Sequence, residues 1–216
     1  MNKKLETALN RLNQILPLKE RQDLCPLEIK ALHQQILRSF VENGRSLTRA
    51  EMAQQVSDVN EAVKILQSND MVVFGEDDEL VGAYPFTMEE REHKILVNGY
   101  QVHAMCALDA LAVSPMFNMD TEINSRCRVT GNPIRIQQGG TVIGNGHEAG
   151  GIYFGIVWGA AEGGSCCANS LCMEMIFLKD DAIAEQWLAE DPTNREIFTL
   201  QDSVKFSNLF FVPLMA

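Results

Sequence analysis

The segment MCALDALAV, residues 105–113, sets a thiol, Cys106, three residues before a carboxylate, Asp109, in a run of Ala, Leu and Val. Cys106 suits such a core as a small hydrophobe. Asp109 does not, because a buried carboxylate needs a partner or a shifted pKa. If the strand-like YQVHAM ends here and a helix begins, Cys106 stands at the helix N-terminus. There the free backbone N–H groups lower a thiol pKa from ~8.5 toward neutrality. Asp109 follows about one turn later on the same face. Partly buried and close to a thiolate, its pKa should rise, so that it can hold a proton and donate it. A second cluster, SCCANSLCMEMIFL, places Cys166, Cys167 and Cys172 within seven positions. Thiolates are soft ligands suited to copper(I), mercury(II) or zinc. A strand presenting Cys172 beside the turn that carries Cys106 would supply two sulfurs, with Asp109 as the nearby acid. Plain core thiols and loop thiols are the competing readings, and spacing alone does not choose between them.

Other candidates have simpler explanations. His103 precedes Cys106 in the same strand and is expected to be structural or exposed. His33, His93 and His147 show no ligand spacing. Met105, Met173 and Met175 could be soft ligands, yet Met at strand positions usually packs. Trp158 and Trp187 read as core anchors. The glycine cluster GGTVIGNGHEAGG lacks the Lys-Ser/Thr of a phosphate loop and reads as a mobile loop.

These groups must be held by a core, and 216 residues supply one, as a large domain or two small ones. The chain is 46% hydrophobic and 22% charged, which is an ordinary globular composition. A net charge of -11 repels nucleic acid and anionic lipid, so neither is an expected partner. No apolar run approaches the ~20 residues of a membrane span. The N-terminus is interrupted by Glu6, Asn10 and Arg11 and reads as an amphipathic helix with Leu5, Leu9, Leu12 and Leu16 on one side, not as a signal peptide. A cytoplasmic location is the expectation. In a reducing compartment the six cysteines are not a disulfide framework, and no CxxC pair has zinc-finger spacing.

The pattern predicts an α+β fold in three segments. Residues 1–26 form the N-terminal helix, 27–84 a winged-helix-like helical domain, and 85–216 a mixed β-sheet domain with flanking helices. In the second segment a helix runs from Leu27 to a stop at Gly44, Ser46 caps a short helix with an incomplete capping box, and Asp58 caps a third. Two strands then surround GEDDE. Its outline suggests DNA binding, but residues 1–90 hold 10 Lys+Arg and 15 Asp+Glu, a net of -5. The third helix carries Asp58, Glu61 and Asp70 against Lys64, and Glu76–Glu79 is an acidic turn. Phosphate would be repelled, so this half is expected to serve as a lid or support. In the last segment HKILVNGYQVHAM is a hairpin about Asn98-Gly99, and CALDALAV is helical. RCRVTGNPIRIQ is a second hairpin, GGIYFGIVWGA and SLCMEMIFLKD are strands, and DAIAEQWLAED is a helix capped by Asp181.

YQVHAMCALDALAV, NSRCRVTGNPIRI and SLCMEMIFLKDDAIAEQW together resemble organomercurial (alkylmercury) lyases, over roughly residues 27–210. The resemblance places Cys106 on the first catalytic cysteine, Asp109 on the catalytic aspartate and Cys172 on the second catalytic cysteine. Cys127 falls on a structural cysteine. A shifted register would put Cys166 or Cys167 in the place of Cys172, at the cost of an insertion. Both otherwise stand as accessory thiols. Glu174 is an acid where the pattern has none, which leaves substrate range open. The implied reaction is protonolysis of a carbon–mercury bond. Two thiolates bind mercury and Asp109 relays the proton, so that a hydrocarbon leaves and mercury(II) stays as bound product, with no organic cofactor. The implied partners are organomercurials, low-molecular-weight thiols and a mercuric reductase as product acceptor. Two other readings stand beside it: a non-catalytic thiol protein handling mercury or copper, and a metal-responsive regulator acting through the first half. A proton donor at Asp109 has a use only in the first reading.

Overall fold

The computed structural model describes residues 2–75, 79–163 and 166–216. Helix α1 (Lys3–Ile15) opens on Asn2, whose side chain accepts from the Leu5 N–H. It buries Leu5 and Leu12 of the expected stripe, with Leu16 buried just beyond its end; Ala8 takes the fully buried place beside them and Leu9 is half-buried. Helices α2 (Leu18–Leu24) and α3 (Leu27–Asn43) follow. Gly44 closes α3 in the left-handed region at φ 69, and a Cβ there would meet the Tyr100 ring at 2.8 Å. The next helix, α4 (Arg49–Met52), corrects the expected cap: Thr48, not Ser46, is the N-cap, and with Glu51 it forms a complete capping box. Asp58 caps α5 (Val59–Ser68) as expected, accepting from the Asn60 and Glu61 N–H groups.

Strands β1 (Val73–Phe74) and β2 (Leu80–Ala83) pair antiparallel. Residues 76–78 of the acidic turn between them lie outside the described residues. Strand β3 (Phe86–Thr87) then pairs with β2 and, through Phe86 and Thr87, with β5. Strands β4 (His93–Val97) and β5 (Tyr100–Ala104) form the expected hairpin, with Asn98 at φ 50 and Gly99 at φ 81, as a type I′ turn requires. After helix α6 (Ala107–Phe117) come β6 (Asp120–Arg126), β7 (Pro133–Gly139) and β8 (Val142–Ile143). They complete an eight-stranded sheet in the order β1-β2-β3-β5-β4-β6-β7-β8. The glycine cluster expected as a mobile loop instead supplies the end of β7, then β8 and the short helix α7 (Gly146–Ala149). Asn145 anchors it, accepting from the Gln137 N–H and donating to the Arg135 carbonyl.

A second sheet, β10-β9-β11, is built from β9 (Tyr153–Val157), β10 (Met175–Leu178) and β11 (Arg195–Thr199). Two 3-10 turns, Cys167–Asn169 and Leu171–Glu174, lead into β10. Helix α8 (Asp181–Glu190) is capped by Asp180, one residue before the expected Asp181. Trp187 of α8 packs against Gly155, where a Cβ would sit 2.9 Å from the ring. Helix α9 (Leu200–Phe211), in a stretch whose pattern assigned no element, follows β11 and runs into a 3-10 turn, Val212–Met215.

Helix α6 lies at the centre. Residues 107–114 are all buried, and the helix packs against α9, β10 and strands β4 to β7. A helix apolar on every side can only be an interior one. Because it is interior, it carries Asp109 into a place no isolated carboxylate would choose.

Candidate active site

Cys106 ends the β5 connection and is the N-cap of α6, its Sγ accepting from the Asp109 N–H at 3.4 Å. This places the Asp109 side chain one turn in, on the face bearing the thiol. Cys172 arrives from the 3-10 turn before β10, not from a strand as expected. A ligand atom from each of Cys106, Asp109 and Cys172 lies within 4.8 Å of the other two, and all three residues are buried. Two further sulfurs adjoin them. Met175 Sδ accepts from Cys106 Sγ at 3.5 Å, and Cys167 Sγ lies 3.6 Å from Cys172 Sγ.

These groups face a cavity of about 10 Å³ whose wall includes Leu12 and Leu16 of the N-terminal segment, Tyr84, and Phe210 and Phe211. That volume accommodates the centre of roughly one water. An organomercurial must therefore displace part of the wall to reach the sulfurs. Cys172 also lines an outer vestibule of about 680 Å³, with Glu89, Arg91, Glu92, Met105 and Met173 among its walls. Cys172 lines both spaces, so the turn that carries it stands between them as a partition, alongside the Met105–Cys106 step of the chain.

Electrostatics at the cluster follow from burial. Desolvation raises Asp109 to about 7, against smaller opposing effects from its hydrogen bond with Cys106 and from the Arg91 charge. Asp109 Oδ2 is buried with no hydrogen-bond partner among the described residues. A raised carboxylate was expected. The expected low thiol pKa is corrected: desolvation pushes Cys106 up to about 12, overriding the helix N-terminus. Cys172 is also raised, chiefly by its sulfur–sulfur hydrogen bonds with Cys106 and Cys167. The resting site thus holds neutral thiols, which metal coordination deprotonates.

The partition is held from both sides. Arg91 Nη1 donates to the Ala168 carbonyl at 3.0 Å and to Met173 Sδ at 3.4 Å. Tyr84 Oη accepts from the Ala168 N–H at 2.8 Å and bonds Cys166 Sγ at 3.4 Å, and Cys166 donates to Asp70 Oδ1 at 3.0 Å. Arg91 and Tyr84 were not singled out in the sequence. Single side chains reaching across the chain leave no periodic signal. A hydrogen bond from a charged donor contributes about 1.5–3 kcal/mol. Arg91→Ala is therefore expected to speed alkylation of the buried thiols by N-ethylmaleimide by about tenfold or more, measured by mass spectrometry on the peptide containing Cys172. An unchanged rate would mean that Arg91 does not restrain this turn.

The remaining candidates lie apart from the cluster. His103 accepts the Arg91 N–H at 3.0 Å, and His93 is buried against Ser125. Cys127 is buried at the β6 end of the second hairpin, its N–H donating to the Asn132 carbonyl. Cys25 donates to the Arg21 carbonyl in α2. Glu174 is half-buried and not among the residues lining the cavity.

Known proteins bear on this arrangement. Residues 86–212 match the family model described as MerB, alkylmercury lyase. Alkylmercury lyases from Bacillus cereus and Clostridium butyricum are each 27% identical over 174 residues, covering 80% of this chain and 78% of theirs. The crystal structure of the mercury-bound form of MerB2 superposes with a TM-score of 0.74 at 23% identity, covering 92% of this chain and 98% of that one. That likeness shows the shared mixed helix-and-sheet fold.

Proposed function

The chain belongs to the alkylmercury lyase family, and on that premise we propose that Cys106, Cys172 and Asp109 divide the work of carbon–mercury protonolysis between them. One observation supports the assignment: two sulfurs 66 positions apart in sequence, 172 less 106, converge with one carboxylate inside 4.8 Å. An organomercurial cation first exchanges its ligand for one thiol, and the second thiol then adds. Each sulfur loses its proton on binding the metal, and Asp109 receives one of these protons. Two thiolates raise electron density on mercury and weaken its bond to carbon. The departing carbon takes the bond pair as a carbanion-like group, and Asp109 protonates it as it leaves. One organomercurial cation and two thiols thus give a hydrocarbon, a neutral mercury(II) dithiolate and one released proton. The chemistry draws on sulfur and a carboxyl alone, so no organic cofactor is proposed.

The helical segment 27–84 acts in this reading as a winged-helix-like support for the catalytic segment 85–216, with Tyr84 at its end on the cavity wall. Among the described residues no helix is long and apolar enough to cross a membrane, and the six cysteines are free. Free thiols suit work in a reducing cytoplasm, the location proposed. There, small thiols would deliver the substrate and carry off mercury(II), with a mercuric reductase as final acceptor.

The test is turnover. Phenylmercury with excess small thiol should yield benzene well beyond one equivalent per protein, measured by gas chromatography. Stoichiometric mercury uptake without benzene would favour a soft-metal-binding protein instead.

A further inference from the structure

A third buried thiol shares the cavity and has no part in the cleavage just described. Cys167 is 5% exposed and lines the same cavity as Cys106, Asp109 and Cys172. Its Sγ stands 3.6 Å from Cys172 Sγ. Two sulfurs sharing one metal ion lie roughly 4 Å apart, given metal–sulfur bonds of about 2.3 Å, so little movement is needed. The backbone around it is fixed: its own N–H donates to Asp70 Oδ2 at 3.5 Å, and the neighbouring Ala168 is held by Tyr84 and Arg91. Met175, the other added sulfur, is a thioether with no proton to lose and cannot become an anionic ligand.

We infer that Cys167 is a third sulfur ligand of the mercury(II) product. This rests on the reading of Cys106 and Cys172 as the mercury site. After cleavage, mercury(II) is a neutral dithiolate and Asp109 is an ionised carboxylate in a buried cavity, which is an unfavourable place for it. Cys167 adds to mercury: its S–H bond breaks, an S–Hg bond forms, and the proton passes to Asp109 on the wall of the same cavity. The single negative charge moves from the carboxylate to a soft three-sulfur cluster, where it is spread over larger atoms. Nothing is oxidised or reduced, and Asp109 is protonated again. Mercury(II) then waits as a trithiolate until an outside thiol removes it through the partition that also carries Cys172.

The test counts sulfurs. Wild-type protein, Cys167→Ser and Cys167→Ala are each loaded with one equivalent of inorganic mercury(II) and examined by X-ray absorption, with cooperative melting used to show that the variants are folded. Three sulfurs are expected in the wild type and two in both variants, with roughly tenfold weaker retention against a competing dithiol. An equal sulfur count in wild type and variants overturns the inference. Cys172→Ser identifies which premise failed. If it too leaves the mercury environment unchanged, the metal is not at this cluster and the proposed site falls with the inference. If it alters that environment while the Cys167 variants do not, only the third ligand is lost.

Discussion

Serine in place of either Cys106 or Cys172 should cut benzene release from phenylmercury by about 10⁴-fold or more in kcat/KM, the scale of loss when a group acting as a unit with its partners is removed. One thiolate suffices to capture an organomercurial cation, so each single variant should still form a one-to-one adduct visible by mass spectrometry. Cleavage needs the second sulfur, and serine oxygen is a hard, weakly donating ligand for mercury. Binding and cleavage thus separate in these variants. Cys25→Ser is the matched control: this thiol bonds its own helix at the Arg21 carbonyl, is not among the cavity-lining residues, and its loss should leave turnover at the wild-type rate. A Cys172→Ser protein that still released benzene quickly would shift the second role to another thiol, Cys167 being the nearest candidate at 3.6 Å.

What could be read in the sequence was what local rules determine. The Asn98-Gly99 turn, the Gly44 stop and the Asp58 cap each depend on a few adjacent residues, and all three stand as expected. The short helix after α3 departs from the expected Ser46 cap because two hydroxyl residues stand close together in the same turn, and only Thr48 has a glutamate, Glu51, three positions on to complete the box. Cys106 and Asp109 could be paired because helical spacing brings positions three apart together. The arrival of Cys172 rested on resemblance, since no local rule predicts which distant turn meets the start of α6. Local reasoning also gave Cys106 the wrong direction of pKa shift. A helix terminus is visible in a sequence and depth of burial is not, and here burial is the larger effect. The fold of residues 139–151 was hidden for a similar reason: glycines suggest mobility, while the bonds from Asn145 that order the segment reach back to β7.

Asp109→Asn should abolish hydrocarbon release while organomercurial binding persists, and it should make the protein more stable at neutral pH. The first effect follows because an amide neither receives the thiol proton nor gives one to carbon. The second follows from linkage. Asp109 rises from 3.8 to about 7 in the folded chain because burial disfavours its charge. Between those values the folded state binds the proton that the unfolded state has lost, so this group's contribution to stability falls as pH rises from about 4 to 7 and is level above. A shift of that size corresponds to at most about 4 kcal/mol. After about 1–3 kcal/mol for an imperfectly bonded buried amide, the net gain in Asp109→Asn at pH 8 is about 1–3 kcal/mol. His33 and His93 act oppositely: burial lowers them to about 4 and about 3, so their contributions grow as pH rises toward 6.5. Urea unfolding of wild type and variant across pH 5 to 8 cancels those histidines in the difference and leaves Asp109 alone. The same titration should govern catalysis with the reverse sign. With Cys106 held as a neutral thiol, the ionised carboxylate is the form ready to take its proton, so wild-type kcat/KM should climb through about pH 7 while stability declines. Parallel stability curves for wild type and Asp109→Asn, or benzene release by the variant, would remove the carboxyl from the centre of the mechanism. If instead both curves diverge as described, the charge that makes the site reactive is the same charge that the fold is least able to bury.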